Sequence, residues 1–358
     1  MPRGGELEIT SREVAAASRS TEALEVRLVR PEEIPALLDF YRGHCGHGDR
    51  VAQLFEWRAS APGRANRPWG AWSKGEFLGT VNAVPCPIAG GGRRIDAIWQ
   101  QDSIVSPAAR RRGVATELVE SAAAARALVL AKGISASMYK LRKSIGFRDA
   151  PNSTYLIRVL RTWGVRGSWR RRLAAPFLSL RALSRQTAAA GPAPEVRQVD
   201  AFGRAYDDIA ERALHSPWCG QWKPADYLTW RYLRCPSRTY TILEARLAQR
   251  PLGAAVMRLG APGSADAWLV DLVADLADPI LARTLIEAAV RRARENGAAL
   301  LWTFASSNRA RELLADAGFA NSHTTPLFTY RPAGSAEDPI AAAEWNFWHG
   351  DGDTELYP

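Results

Sequence analysis

The sequence predicts an α/β (α+β) chain built as two related units in tandem, and three observations carry that prediction. Strand-like and helix-like runs alternate along its length. One stretch, Asp102 to Leu130, joins a β-rich run to a long helical pattern through a loop holding Ser106-Pro107, three arginines and Gly113. Landmarks of the first half return in order in the second. Phe55-Glu56-Trp57-Arg58 before Pro62 is answered by Leu228-Thr229-Trp230-Arg231 before Pro236. Asp102-Ser103-Ile104-Val105 is answered by Asp271-Leu272-Val273-Ala274, and Gly146-Phe147 by Gly318-Phe319, so the three offsets are 173, 169 and 172. A length of 358 residues has room for both units.

Residues 1–24 are small and polar and read as a flexible tail. Val26–Val29 reads as a first strand. Pro31-Glu32-Glu33 opens a helix, because proline is tolerated at the first position and acids suit the positive end. Ile34, Leu37, Leu38 and Tyr41 line one of its faces. A glycine-rich turn, Gly43 to Asp49, leads to a second helix over Val51–Arg58. Strands follow near Trp69–Trp72, Phe77–Val84 and Arg94–Val105. Val114, Leu118, Ala122, Ala125 and Val129 then recur at helical spacing, which predicts one helix from Val114 to Leu130 with Lys132-Gly133 as its stop. A helix over Ser137–Ile145 precedes Gly146-Phe147, and a strand over Ser153–Val159 closes the first unit, residues 25–160. Residues 161–193 carry seven arginines between Arg161 and Arg185, interleaved with Trp163, Trp169 and Phe177, and read as a basic amphipathic linker. In the second unit, residues 194–358, Asp278 caps a helical run over Pro279–Asn296 that stops at Gly297.

Composition narrows the function classes. The content is 47% hydrophobic and 23% charged, that of an ordinary globular protein, and the net charge is +10. The arginine clusters suit a polyanionic ligand, and equally nucleic acid or an anionic membrane surface. No RNA-binding signature, zinc-finger spacing or helix-turn-helix supports nucleic acid, so none is expected as a partner. Peripheral membrane contact is left to Arg161–Arg185. Four cysteines without a C-x-x-C fit a reducing compartment, and the absence of a leader or a membrane-spanning run points to the cytoplasm. His44-Cys45-Gly46-His47 has ligand chemistry but no second ligand pair nearby, so no metal is expected.

A strand, a tight loop and a helix start together make an anion site: the first helical N–H groups lack partners within the helix, and the helix dipole favours negative charge. Val105-x-Pro107 followed by Arg110-x-x-Gly113-x-Ala115 resembles the R/Q-x-x-G-x-G/A signature of the GNAT (GCN5-related N-acetyltransferase) family. Gly146-Phe147 stands where that family usually has a "GF" pair. The resemblance covers residues 25–160 well and the rest as a weaker copy. It implies two GNAT-like domains, each a mixed, mostly antiparallel sheet flanked by helices. It further implies acetyl-CoA or another acyl-CoA as co-substrate, held by Ile104, Val105, Arg110, Arg111, Arg112, Gly113, Val114, Ala115 and Thr116. The matching loop of the second unit, Ala274 to Pro279, has two carboxylates, no glycine and no arginine, so it is not expected to hold a pyrophosphate.

Acyl transfer to an amine needs a proton acceptor, and Asp102, three residues before Val105, is the first candidate, with Glu56 and Asp49 behind it. The family commonly protonates the leaving thiolate with a tyrosine about five residues before the "GF" glycine. Leu141 holds that place here and Tyr139 is two residues earlier, about 200° round a helix. His47 and Asp49, in a loop that borders the acceptor pocket in the family, are substrate-binding candidates. So are Trp230 and Arg231, whose residue types grip sugars, although recurrence in both halves equally fits core packing. The ending Gly350-Asp351-Gly352-Asp353 resembles those of tandem GNAT-like proteins of polysaccharide and glycoconjugate biosynthesis. The resulting expectation is an N-acyltransferase acting on a primary amine, with an amino sugar as one candidate. The alternatives are a non-catalytic scaffold and an aminoacyl transferase that uses charged tRNA.

Overall fold

The computed structural model describes residues 24–161, 194–332 and 338–356, apart from 64–66, 125, 262–263, 323–324, 339, 341–342 and 353. The tail, nearly all of the basic linker with its membrane contact, and Asp353 lie outside the described residues.

The first half runs β1 (Glu25–Leu28), α1 (Ile34–His44), α2 (Gly48–Ala59), β2 (Arg67–Ser73), β3 (Glu76–Pro85), β4 (Ile88–Gly90), β5 (Arg93–Ile95) and β6 (Ala97–Val105). It continues with α3 (Val114–Ala123), β7 (Leu128–Lys132), α4 (Ala136–Ser144), β8 (Arg148–Asp149) and β9 (Thr154–Val159). The second half repeats the plan. It has β10 (Glu195–Val199), α5 (Ala205–Leu214), β11 (Trp218–Gln221), α6 (Ala225–Leu228), β12 (Thr241–Leu247), β13 (Arg250–Leu259) and β14 (Asp266–Val273). Then come α7 (Pro279–Glu295), β15 (Leu300–Ala305), α8 (Asn308–Asp316), β16 (Ala320–Asn321), β17 (Phe328–Pro332) and β18 (Glu344–Trp345).

The long helix expected over Val114–Leu130 is two elements. It ends at Ala123, and Leu128–Lys132 is a strand buried along its whole length. A short apolar run, Leu128-Val129-Leu130-Ala131, satisfies a central strand as readily as a helix, and pairing on both sides decides the matter. β7 pairs parallel with β6 and antiparallel with β17.

That second pairing crosses the halves. The first sheet has the order β1-β2-β3-β6-β7-β17-β8, and the second β10-β12-β13-β14-β15-β9-β16. Each half therefore gives its penultimate-position strand to the other. β9, expected to close the first unit, lies antiparallel between β15 and β16 of the second. A third sheet, β18-β11-β4-β5, also draws on both halves.

The halves meet at their repeated Trp-Arg pairs. Trp57 and Trp230 stack with ring centroids 4.3 Å apart and planes 9° off parallel. Each indole N–H donates to the other residue's carbonyl, at 3.1 Å and 2.8 Å. The local symmetry follows from the repeat itself: the same residue in the same helical position meets its own copy.

Candidate active site

β6 carries the site, and its pairing explains how. On one side it pairs with β3, but Gln101 faces Asn82 while Ile104 faces Thr80, so Asp102 and Ser103 share one opposing residue in a bulge. Asp102 adopts φ +48, a left-handed conformation that aspartate tolerates better than most residues. On the other side, pairing with β7 stops at Trp99 and Leu130. Beyond that point β6 stays with β3 and β7 stays with β17, so the two strands diverge into a cleft. Residues Gln101–Val105, which form its wall, are half-buried.

The bulge turns Asp102 toward α1 and α2. Its carboxylate accepts from the Arg58 guanidinium at 2.6 Å and from the Asn82 amide at 2.9 Å. Arg58 is 1% exposed. Tyr41, fully buried beside them, has its phenol pushed up by burial and further by the Asp102 charge. Arg58 was visible in the sequence as a repeat landmark but not as the partner of Asp102. Asn82, a polar residue in the otherwise apolar run of β3, was the available signal for this cluster. A small cavity adjoins it, lined by Trp57, Trp99, Trp230, Arg58 and Gln101 together with Gly352 and Leu356. The Gln101 side-chain oxygen is buried and accepts no hydrogen bond among the described residues.

At the mouth of the cleft a 3-10 turn, Pro107–Ala109, leads through exposed Arg110, Arg111 and Arg112 into α3. Gly113 sits at the N-cap with φ +82, and no side chain caps the helix. The N–H groups of Val114, Ala115 and Thr116 therefore lie in the first turn without a helical acceptor. A Cβ on Gly113 would meet nothing within 4 Å, so the space before the helix is open. Phosphate oxygens fit this combination of exposed guanidinium groups, helix dipole and unpaired N–H donors. Ile104 and Val105 lead from the cleft wall into this loop.

Other candidates fall elsewhere. Tyr139 donates to Asp149, whose carboxylate holds the phenol above its ordinary value. Asp149 is on β8, two strands beyond β7 at the outer edge of the sheet, so Tyr139 does not face the cleft. Leu141 packs against the core cluster that holds Phe147 and the buried face of α3. His47 and Asp49 are exposed at the start of α2, and Asp49 lies 3.7 Å from Arg42. Asp49 and Glu56 line a separate surface groove with Arg42 and Gln53. The His44 ring packs against Phe40 at a tilt of 57°, and no group of three metal-ligating side chains forms among the described residues. Trp230 and Arg231 are buried. Arg231 donates to Glu355, Tyr240 and the Gly350 carbonyl, so its guanidinium holds the C-terminal segment.

The second unit diverges at each of these points. Asp278 caps α7 by accepting from Ile280 and Leu281 N–H at 3.0 Å and 2.9 Å, and Asp275 accepts from Ala277 N–H. Its own cleft opens after Leu269 and Thr303 but is filled by the C-terminal segment. Gly350 N–H donates to Val270 at 2.8 Å, Trp348 bridges to Ala305, and Val270–Val273 are buried. Asp271, the counterpart of Asp102, accepts from Lys223 and from the Tyr232 hydroxyl. Burial works against the Lys223 ammonium, but Asp271 and Asp351 outweigh it and hold its pKa raised.

Comparison with known proteins bears on the fold. Residues 34–139 match the model of the Acetyltransferase (GNAT) family. No curated protein matches the sequence. Solved structures with the same fold include a probable N-acyltransferase from Enterococcus faecalis (TM-score 0.59, 12% identity, 87% of this chain and 73% of that one). They also include a GCN5-related N-acetyltransferase from Kribbella flavida (0.58, 15%, 87% and 71%) and Eis1 from Mycobacterium abscessus (0.52, 16%, 87% and 73%). At these identities the likeness is one of fold. Residues 34–139 thus match the GNAT acetyltransferase family, within a chain whose fold is that of these solved GNAT structures.

Proposed function

We propose that the chain is an N-acyltransferase that moves an acetyl or other acyl group from acyl-CoA to a primary amine, at the first unit only. The carrying observation is the joining of an uncapped helix start to an open cleft that has Asp102 on its wall. The exposed arginines and the N–H groups of Val114 to Thr116 would hold the pyrophosphate. The pantetheine arm would lie along Gln101–Val105, where backbone N–H groups on the edge that β7 leaves can meet the thioester oxygen as it gains charge. A primary amine in the adjoining cavity has donors for the buried Gln101 oxygen. As its nitrogen bonds the acyl carbon and the carbon–sulfur bond breaks, the amine proton passes to the Asp102 carboxylate, directly or through one water. Arg58 and Asn82 keep that carboxylate in place. Asp149 engages the Tyr139 hydroxyl, so in this reading thiolate protonation falls to solvent. An amino sugar is our candidate acceptor; its ring would lie in the open cleft, because the cavity beside Trp57 and Trp99 holds only about 20 Å³.

Calorimetric titration of acetyl-CoA tests the donor half. Wild type should bind one equivalent, and Gly113→Asp should weaken binding by more than about 100-fold, because it puts a carboxylate where the pyrophosphate would lie. Absence of binding by wild type sinks the proposal. Thiol release screened over alkyl amines and amino sugars then tests the acceptor half.

A further inference from the structure

We propose that the second unit holds a small-molecule site of its own, a cavity of about 390 Å³ shaped for an apolar carboxylate. Its size is within the range of ligand pockets, roughly 300–1,000 Å³. It lies between α5, the end of β14 and the C-terminal segment, on elements whose inner faces belong to the packed core.

The walls decide the class of ligand. Ile209, Leu252 and Leu272 give apolar walls, and Trp218 and Trp348 border them. The Trp348 indole N–H donates to the Asn346 side-chain oxygen at 2.9 Å. An indole can only donate, so this contact fixes the Asn346 amide with its NH₂ as the remaining group. At the mouth stand Arg212 and His215, both exposed and in no ion pair among the described residues. The one carboxylate on the rim, Asp275, already accepts the Ala277 N–H. Donors and positive charge therefore exceed acceptors around an apolar interior, and an apolar body with one anionic head complements both.

The same features exclude the acyl donor as occupant. Asp275 and Asp278 take up the loop's own N–H groups, and Trp348 to Gly350 fill the cleft a pantetheine arm would need. What survives in this unit is a pocket without a donor site. Gln221 lines both this cavity and the one near Asp102, and its side-chain oxygen accepts from Trp99 on β6 at 3.1 Å. A ligand here would touch the wall between the two units.

The test uses the full chain and three probes: hexanoate, 3-phenylpropionate and indole-3-acetate, each against its neutral primary amide, by ligand-detected NMR and calorimetry. At least one acid should bind with a Kd below ~100 µM and its amide at least ~5-fold more weakly. Arg212→Gln should abolish the preference for the acid, and Ala213→Trp, which fills the cavity, should abolish binding. Saturating acetyl-CoA should leave the acid bound. Failure of all three acids to bind overturns the proposal. So does binding that survives Ala213→Trp in a variant that melts like wild type, or binding displaced by acetyl-CoA. Arg212 is exposed, so Arg212→Gln keeps the test open even if the tryptophan variant does not fold.

Discussion

In the first unit, α3 begins at Gly113 with no side chain over its first turn. In the second, α7 begins at Asp278, whose carboxylate occupies that turn. The first cleft is half-open along Gln101–Val105, whereas the second is packed along Val270–Val273 with the segment from Phe347 to Gly350. The fold is the same in both. A helix start binds anions only while its donors lack partners. Supplying an internal carboxylate removes the site and stabilises the helix in one step. A capped and an uncapped helix start therefore sit in the same architecture.

The sharpest way to break this comparison is to neutralise the paired aspartates. Asp102→Asn should lower kcat by about 10²- to 10⁴-fold with the KM for acetyl-CoA unchanged. Its melting temperature must be read alongside, since Arg58 loses its ion-pair partner; an activity loss that merely tracks unfolding would assign Asp102 to the fold. Asp271→Asn should act on stability instead. It leaves buried Lys223 with only Asp351, and removal of one partner from such a cluster costs about 3–5 kcal/mol, measurable as a lower urea midpoint. Next in size is the contact between the halves. Trp57→Ala or Trp230→Ala should each cost about 3–5 kcal/mol. The double variant should fall short of their sum by about 1 kcal/mol, because the stacked pair is lost only once. Strict additivity would show that the stacking itself contributes nothing.

A smaller effect concerns pH. Burial, then the charges of Lys132, Arg258 and Arg231, holds the His349 imidazole well below 6.5. The unfolded chain thus binds a proton that the folded chain refuses. Stability from this source is complete above pH 6.5 and is lost as pH falls below it, by up to about 1.4 kcal/mol per unit. Urea midpoints at pH 7.5 and 5.5 should differ more for wild type than for His349→Gln. The mildest change is Asp278→Ala, worth about 1 kcal/mol for a lost cap. It should leave acetyl-CoA stoichiometry at one per chain, as Pro279 and the plugged cleft remain; a second equivalent would mean the cap alone kept the site shut.

Local chemistry was the legible part. Ser106-Pro107, Gly113 and the periodicity after it mark strand, loop and helix because each acts on its neighbours in sequence. Three landmarks in register exposed the repeat. The end of α3 was missed because Ala122, Ala125 and Val129 continue the helical spacing into what is a central strand. Strand exchange was invisible for a different reason: β9 and β17 present similar apolar alternation to either sheet, and nothing local states which neighbour each will take. The placement of Tyr139 shows the limit at a single side chain, since a two-residue shift on a helix selects another face. The cluster of Arg58, Asn82 and Asp102 joins three distant elements, and nothing local in the sequence links them.

The exchanged strands also set an order of events during synthesis. β7 is an apolar strand whose outer edge is covered by β17, about 200 residues later in the chain. Until Phe328–Pro332 leaves the ribosome, the first sheet presents an open apolar edge, and β9 waits beside it for β15. Such edges are templates for pairing with other chains. The first sheet is thus begun first and completed last. A product truncated anywhere before residue 328 would be prone to aggregation rather than a smaller enzyme.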